Sequence, residues 1–102
     1  MGKFVKVAQV SEVAPGGAKL VEAEGKSIAL FNVGGAFYAL DNTCTHSGGP
    51  LAEGTVQGEE VECPWHGARF NLKTGAALCA PADEGVAFYP ARVNGPDVEV
   101  EI

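Results

Sequence analysis

Hydrophobic and polar residues alternate most regularly at the end of the chain, where residues 98–102 read VEVEI. Residues 5–7, which read VKV, follow the same rhythm near the start. A period of two places successive side chains on opposite faces of a strand. Both segments are therefore predicted to be strands with one buried face and one face in contact with water.

Two longer segments predict β-hairpins whose turns lie at glycine. The segment SIALFNVGGAFYAL contains two apolar runs on either side of Gly34 and Gly35, where a positive φ angle costs little. The segment TVQGEEVEC is predicted to turn near Gly58 and to place Cys63 at the end of its second strand.

A third hairpin is predicted in the segment ARFNLKTGAALC, with its turn at residues 73–75. The 14 glycines and 6 prolines divide the chain into short pieces, and no segment shows a helical period. At most a short helical turn is expected near residues 11–13. The predicted fold is all-β, a small antiparallel sandwich or barrel formed by one domain of 102 residues.

The composition is ordinary for a globular protein, with 46% hydrophobic and 20% charged residues. The formal net charge is −6, from 13 acidic and 7 basic residues, and the sequence contains no cluster of Lys or Arg. Nucleic acid and anionic membranes are not expected as partners, because both bind basic surfaces. A protein partner with a basic docking face fits the charge better.

Segments for export or membrane insertion are not evident in the sequence. The N-terminal stretch has no apolar run of signal-peptide length, and no run is long enough to span a bilayer. The 3 cysteines are an odd number, and two of them lie close to histidines, which favours a metal site over a disulfide framework. These features predict a cytoplasmic protein.

Two loops each combine one thiol with one imidazole: Cys44 with His46, and Cys63 with His66. Two sulfur and two nitrogen ligands suit tetrahedral zinc or a [2Fe–2S] cluster with mixed ligation. Zinc fingers usually pair cysteines on one segment and histidines on another. The mixed loops fit a binuclear cluster better, because both cysteines can reach one iron while both histidines reach the other. A zinc site and a disulfide between the two cysteines are the alternatives.

The segments CTHSGGPL and CPWHGARF resemble the two cluster-binding loops of the Rieske iron–sulfur proteins. Pro64 and Gly67 match the family pattern on either side of the second histidine. Pro81 lies in a segment similar to the proline-containing third loop of the family, which covers the cluster.

The resemblance extends over essentially the whole chain. It implies a small Rieske-type β-domain with an inserted cluster-binding part at about residues 41–85. It also implies one [2Fe–2S] cluster, with Cys44 and Cys63 on one iron and His46 and His66 on the outer iron.

Two features differ from the Rieske subunits of respiratory bc complexes. Those subunits carry one further cysteine in each loop, and Gly49 and Trp65 occupy the corresponding positions here, so that disulfide cannot form. They also place a Ser and a Tyr near the cluster, where this chain has Ala68 and Phe70. Because hydroxyl hydrogen bonds to the sulfurs favour the reduced state, we expect a potential near the low end of the range of roughly −150 to +300 mV.

The outer end of the cluster is expected to be an exposed apolar tip that contains His46, His66, Trp65 and Pro81. Trp65 can either pack over the loops where the disulfide is missing or contact a partner directly. Cys79 has no histidine nearby in the sequence and is predicted to be a small buried hydrophobic residue.

No catalytic residues are predicted, because the sequence has no Ser/His/Asp arrangement and both of its 2 histidines are assigned to the cluster. The resemblance implies a monomeric Rieske-type ferredoxin. Such a protein carries electrons from an NAD(P)H-dependent flavoprotein reductase to a terminal oxygenase of aromatic rings. The alternatives are the small subunit of an assimilatory nitrite reductase and a zinc-stabilised interaction domain.

Overall fold

The computed structural model describes residues 3–43, 50–65, 67–79 and 85–102. These residues form strands and two short 3₁₀ turns, so the prediction of an all-β fold is confirmed. No helix within the described ranges is both long and apolar enough to cross a bilayer. The 3₁₀ turns are Val10–Glu12, close to the predicted short turn, and Leu51–Glu53. The strands are β1 (Phe4–Gln9), β2 (Ala18–Ala23), β3 (Lys26–Val33), β4 (Ala36–Asp41), β5 (Thr55–Gln57), β6 (Glu60–Glu62), β7 (Arg69–Asn71), β8 (Ala77–Cys79), β9 (Phe88–Tyr89), β10 (Ala91–Asn94) and β11 (Asp97–Glu101).

The strands form three antiparallel sheets. Sheet I has the order β1-β11-β10, sheet II has the order β2-β3-β4-β9, and sheet III has the order β5-β6-β7-β8. Sheet III is a continuous meander of short strands, whereas sheets I and II combine strands from both ends of the chain. The part of the chain with the predicted metal ligands therefore contains one sheet whose strands are consecutive in sequence.

Strand β3 is buried on both faces, which explains its nearly continuous apolar sequence. Ile28 and Leu30 pack on one side of sheet II, and Ala29 and Phe31 pack on the other. The first core, toward sheet I, contains Ala8, Val13, Val21, Ala23, Ile28, Leu30, Phe37, Ala39, Val98 and Val100. The second core, toward sheet III, contains Ala29, Phe31, Leu40, Leu51, Val61, Cys63, Ala68, Phe70, Leu72 and Val86.

The three predicted hairpins are confirmed. β3 and β4 are joined at Gly34 and Gly35, whose φ angles are 60° and 96°. β5 and β6 turn at Gly58, which also has a positive φ, and Cys63 directly follows β6. β7 and β8 enclose the predicted turn at residues 73–75.

The two predicted terminal strands also pair with each other, as β1 and β11. In β1, the register shifts between Lys6 and Ala8, and this bulge turns Ala8 into the first core although Lys6 is exposed. Val5 and Val7 pack against the same core and are only partly buried. The sequence pattern did not indicate β2, β9 or β10.

Candidate metal centre

The residues that flank the three predicted cluster segments meet at one end of sheet III. The strand register aligns Thr55 with Glu62, Glu62 with Arg69, and Arg69 with Cys79. At this end the chain enters β5, passes from β6 to β7, and leaves β8. The strand register therefore brings Thr55, Glu62, Arg69 and Cys79 to the same end of sheet III. These are described residues near the bases of segments 44–49, 63–67 and 80–84.

The first of these segments is closed at its base by backbone pairing. Thr43 and Pro50 form an isolated antiparallel bridge. Next to it, the Leu51 N–H donates to the Asn42 carbonyl oxygen at 2.8 Å, and the Ala52 N–H donates to Asn42 Oδ1 at 2.8 Å. Asn42, which precedes the segment, thus binds the two residues Leu51 and Ala52 that follow it. The Leu51 side chain is fully buried in the second core.

The second segment begins at Cys63, the one predicted ligand that lies within the described residues. The Cys63 N–H donates to the Ala68 carbonyl oxygen at 2.7 Å, and the turn between them includes Gly67 with φ of +74°. The Cys63 side chain is 1% exposed, and the Trp65 N–H donates to its Sγ at 3.4 Å. A buried sulfur with an N–H directed at it suits a thiolate ligand, because the donor stabilises the negative charge.

A carboxylate borders the same turn. The Glu62 side chain forms an ion pair with Arg69, with Oε1 and Nη2 3.6 Å apart. Its Oε2 lies so close to Gly67 that a Cβ built on that glycine would be 3.4 Å away. The ion pair is partly exposed and adds little stability, but it neutralises a cation beside the loop.

A second cation of this sheet is also paired. Lys73 Nζ lies 2.8 Å from Glu59 Oε2. The hydrogen bond and the charge of Glu59 raise the pKa of Lys73 above its ordinary value of 10.5.

Gly54 brings the first segment against β6, and the sequence pattern did not single it out. A Cβ at this position would collide with the Glu62 carbonyl oxygen and would lie 3.1 Å from the Leu51 carbonyl oxygen and from Val61 Cγ2. The φ angle of Gly54 is −79°, so its lack of a side chain serves close packing and not an unusual backbone. This contact joins the bases of the first and second segments.

The third segment has a similar close contact at its base. The Val86 N–H donates to the Gly75 carbonyl oxygen at 2.8 Å, and a Cβ on Gly85 would lie 2.6 Å from that same oxygen. Val86 is 7% exposed and belongs to the second core, which also contains Cys63. All three segments are thus anchored on one core.

The structure describes part of the predicted site. Ala68 and Phe70 are fully buried in the second core together with Cys63, whereas Trp65 is 50% exposed. Cys79 ends β8, but its side chain lies outside the described residues, and its predicted burial stays a prediction. The predicted residues Cys44, His46, Gly49, His66 and Pro81 also lie outside them, so the described part alone contains no group of three potential metal ligands.

Comparison with known proteins supports the predicted chemistry. A family model described as the Rieske [2Fe-2S] domain matches residues 3–90. The ferredoxin component of a naphthalene 1,2-dioxygenase system from Pseudomonas aeruginosa is 38% identical over 98% of this chain and 96% of that protein. A chain in the solved complex of reduced oxygenase and oxidized ferredoxin in carbazole 1,9a-dioxygenase is 35% identical, with a TM-score of 0.89, over 96% of this chain and 92% of that one.

The backbone also matches another class of protein. A structure described as the small subunit of an NADH-dependent nitrite reductase from Mycobacterium tuberculosis has a TM-score of 0.91 over 100% of this chain and 96% of that one. Its sequence identity is only 25%. The backbone therefore does not separate the two classes, whereas the sequence is closer to the ferredoxins.

Proposed function

We propose, since the chain belongs to the Rieske [2Fe–2S] domain family, that Cys44, His46, Cys63 and His66 hold its cluster. The resemblance assigns the cysteines to one iron and the histidines to the other. When bound, the cluster accepts and returns one electron. The buried Cys63 sulfur, which receives the Trp65 N–H, supports this assignment from the structure. We assign the cluster-binding part to residues 41–85 of a single domain that spans residues 1–102.

The chain is a Rieske-type ferredoxin, an electron carrier that is not itself an enzyme. We propose that it takes electrons from an NAD(P)H-dependent flavoprotein reductase and passes them to a terminal oxygenase of aromatic compounds. The observation that carries this proposal is the 38% identity to a dioxygenase ferredoxin, which extends over 96% of that relative. The lower identity of 25% to a nitrite reductase small subunit disfavours that alternative. A zinc-stabilised domain is disfavoured by the match to a [2Fe-2S] family.

Reconstitution with purified partners tests the proposed electron path. With NADH or NADPH, a flavoprotein reductase and an aromatic-ring dioxygenase, the ferredoxin should support substrate hydroxylation that stops when it is omitted. The control replaces the oxygenase by the large subunit of a nitrite reductase. Nitrite reduction in the control, with no turnover by any ring-hydroxylating oxygenase, would contradict the proposal and support the alternative.

We further propose that the carrier works as a monomer in the cytoplasm. The proposed reductase consumes NAD(P)H, which is a cytoplasmic reductant. If Cys44 and Cys63 both bind iron, only one of the 3 cysteines is left, and no disulfide within the chain can form. Gel filtration and cell fractionation of the intact protein test these two statements.

A low midpoint potential is the expected electrochemical property of this centre. Phe70 and Ala68 are fully buried in the second core with Cys63, and neither carries a hydroxyl. The substitution Phe70→Tyr adds a hydroxyl in this core and should raise the potential. If the new hydroxyl forms a hydrogen bond that favours the reduced cluster by about 1 kcal/mol, the midpoint potential of this one-electron couple should rise by about 40 mV. Spectroelectrochemistry measures this shift.

Phe37→Tyr is the matched control for this substitution. Phe37 is 8% exposed and belongs to the first core, on the other side of sheet II. The same added hydroxyl should leave the midpoint unchanged there. A wild-type midpoint above about +100 mV, or equal shifts in both variants, would contradict the account.

A further inference from the structure

One large hydrophobic side chain is exposed on β8, which is an edge strand of sheet III. Leu78 of β8 is 44% exposed. The preceding residue, Ala77, is partly buried against the second core. Leu78 is the extra residue at the register shift between the pairs Phe70–Ala77 and Arg69–Cys79, and its exposure shows that its side chain faces solvent. The next residue, Cys79, aligns with Arg69 at the end of the sheet where the cluster segments begin. Leu78 thus lies one residue from the end of sheet III at which Cys63 follows β6.

Trp65 is the other exposed large hydrophobic residue at this end, with 50% of its surface accessible. Its neighbour Cys63 is the buried proposed ligand. The remaining exposed large hydrophobic residues within the described ranges, Leu20, Phe88 and Val93, belong to strands of sheets I and II. Exposed apolar residues near one functional site are typical of an interaction surface.

The charge of the molecule is concentrated in the same part of the chain. Residues 41–85 contain seven acidic and two basic residues, a net charge of −5, against −6 for the whole chain. Both cations are paired, Arg69 with Glu62 at 3.6 Å and Lys73 with Glu59 at 2.8 Å. The net negative charge of the chain therefore attracts a basic partner, whereas the described pair of Glu62 and Arg69 at the cluster end of sheet III carries no net charge.

We propose that the solvent-facing side of β8, with Leu78 at its centre, extends the docking face for the redox partner. This face, the β8 face, comprises Leu78 and Trp65 with Glu62 at its border. It fits an electron-transfer protein whose own docking face carries cations around an apolar centre, because acidic charge steers encounter and the apolar residues hold the complex. The inference rests on the proposed function and adds the surface that the partner covers.

Two leucines of the chain provide a matched comparison. Leu78 lies on β8, an edge strand of sheet III, and Leu20 lies on β2, an edge strand of sheet II. Their exposures are similar, 44% and 50%, so Leu78→Ala and Leu20→Ala remove the same surface group at different places. Both variants should fold and keep the cluster, because neither side chain is part of a core.

Stopped-flow oxidation of the reduced holoprotein tests the proposal with two acceptors. Cytochrome c is a basic haem protein, and hexacyanoferrate(III) is a small anion that needs no docking face. We expect Leu78→Ala to lower the second-order rate constant with cytochrome c by about three- to tenfold, whereas Leu20→Ala matches the wild type. Both variants should react with hexacyanoferrate(III) at the wild-type rate. The reaction with cytochrome c should slow as salt is added.

Equal rates of Leu78→Ala and Leu20→Ala with cytochrome c would overturn the proposal. The same slowing of Leu78→Ala with both acceptors would also overturn it, because the substitution would then act on the cluster itself. A reaction with cytochrome c that does not depend on salt would refute the electrostatic part. Failure of the wild type to hold a cluster or to reduce either acceptor would instead refute the proposed function.

Discussion

Replacement of Cys63 by alanine is expected to remove the [2Fe–2S] cluster completely. Its sulfur is one of four proposed ligands, and it lies buried at the base of the second segment with the Trp65 N–H directed at it. Loss of one thiolate leaves an iron with an incomplete ligand set, which the remaining three ligands cannot hold. Iron and sulfide analysis, with the visible absorption spectrum, should show a protein without cluster.

Cys79→Ala is the matched control, because it removes a thiol that the sequence does not assign to the cluster. This variant should keep two irons per chain, with a spectrum like that of the wild type. In Cys63→Ala, the lost packing of this small side chain in the second core should lower the free energy of unfolding by only about 1 kcal/mol. Far-UV circular dichroism of the apo protein separates cluster loss from unfolding. Two irons per chain in Cys63→Ala would refute the ligand assignment.

Gly54→Ala is expected to destabilise the protein strongly although alanine tolerates the backbone angle of this residue. The new Cβ would collide with the Glu62 carbonyl oxygen and crowd Leu51 and Val61. Overpacking of this kind costs about 1–3 kcal/mol, which corresponds to a fall of at least about 5 °C in the unfolding midpoint for a chain of this size. Because the contact joins the bases of two cluster segments, cluster loss should also become faster.

Gly25→Ala separates this packing effect from ordinary backbone strain. Gly25 has a φ of +81° with nothing within 4 Å of a Cβ, and it lies in the turn between β2 and β3. Its replacement should cost about 1–2 kcal/mol through the backbone alone and leave the rate of cluster loss unchanged. Thermal unfolding and the decay of visible absorption in urea measure the two effects. If Gly54→Ala released its cluster no faster than Gly25→Ala, the proposed contact between the segments would be wrong.

The strands that could be predicted from the sequence are those marked by a glycine turn or by an alternation of apolar and polar residues within a few positions. The hairpin turns at Gly34 and Gly58 were recognisable because glycine is needed for a positive φ angle. Strand β2 was missed because Leu20 is exposed at the sheet edge, which breaks the alternation of apolar and polar residues. β9 was missed because it has two residues and is defined by pairing with the distant strand β4. β10 pairs with its neighbour β11 across a two-residue turn, and it was missed because its residues are mostly exposed and show no alternation of buried and exposed positions.

The chemistry of the site was more predictable than its support. The spacing of the cysteines and histidines carries the information about ligands, because each loop must offer its donors to the same cluster. The roles of Asn42, Gly54 and Leu78 depend on residues that are distant in sequence or on the direction of a side chain at a sheet edge. These roles become visible only when the strand register and the packing are known.

Pulsed EPR of the reduced protein, prepared with ¹⁵N-labelled histidine, tests the central claim most directly. The claim is that a [2Fe–2S] cluster is held by two thiolates and two imidazoles. The account predicts a paramagnetic signal that appears only on reduction, with strong hyperfine coupling to two histidine nitrogens. A reduced cluster without histidine coupling, or a protein that gives no such signal and contains one zinc per chain, would contradict it.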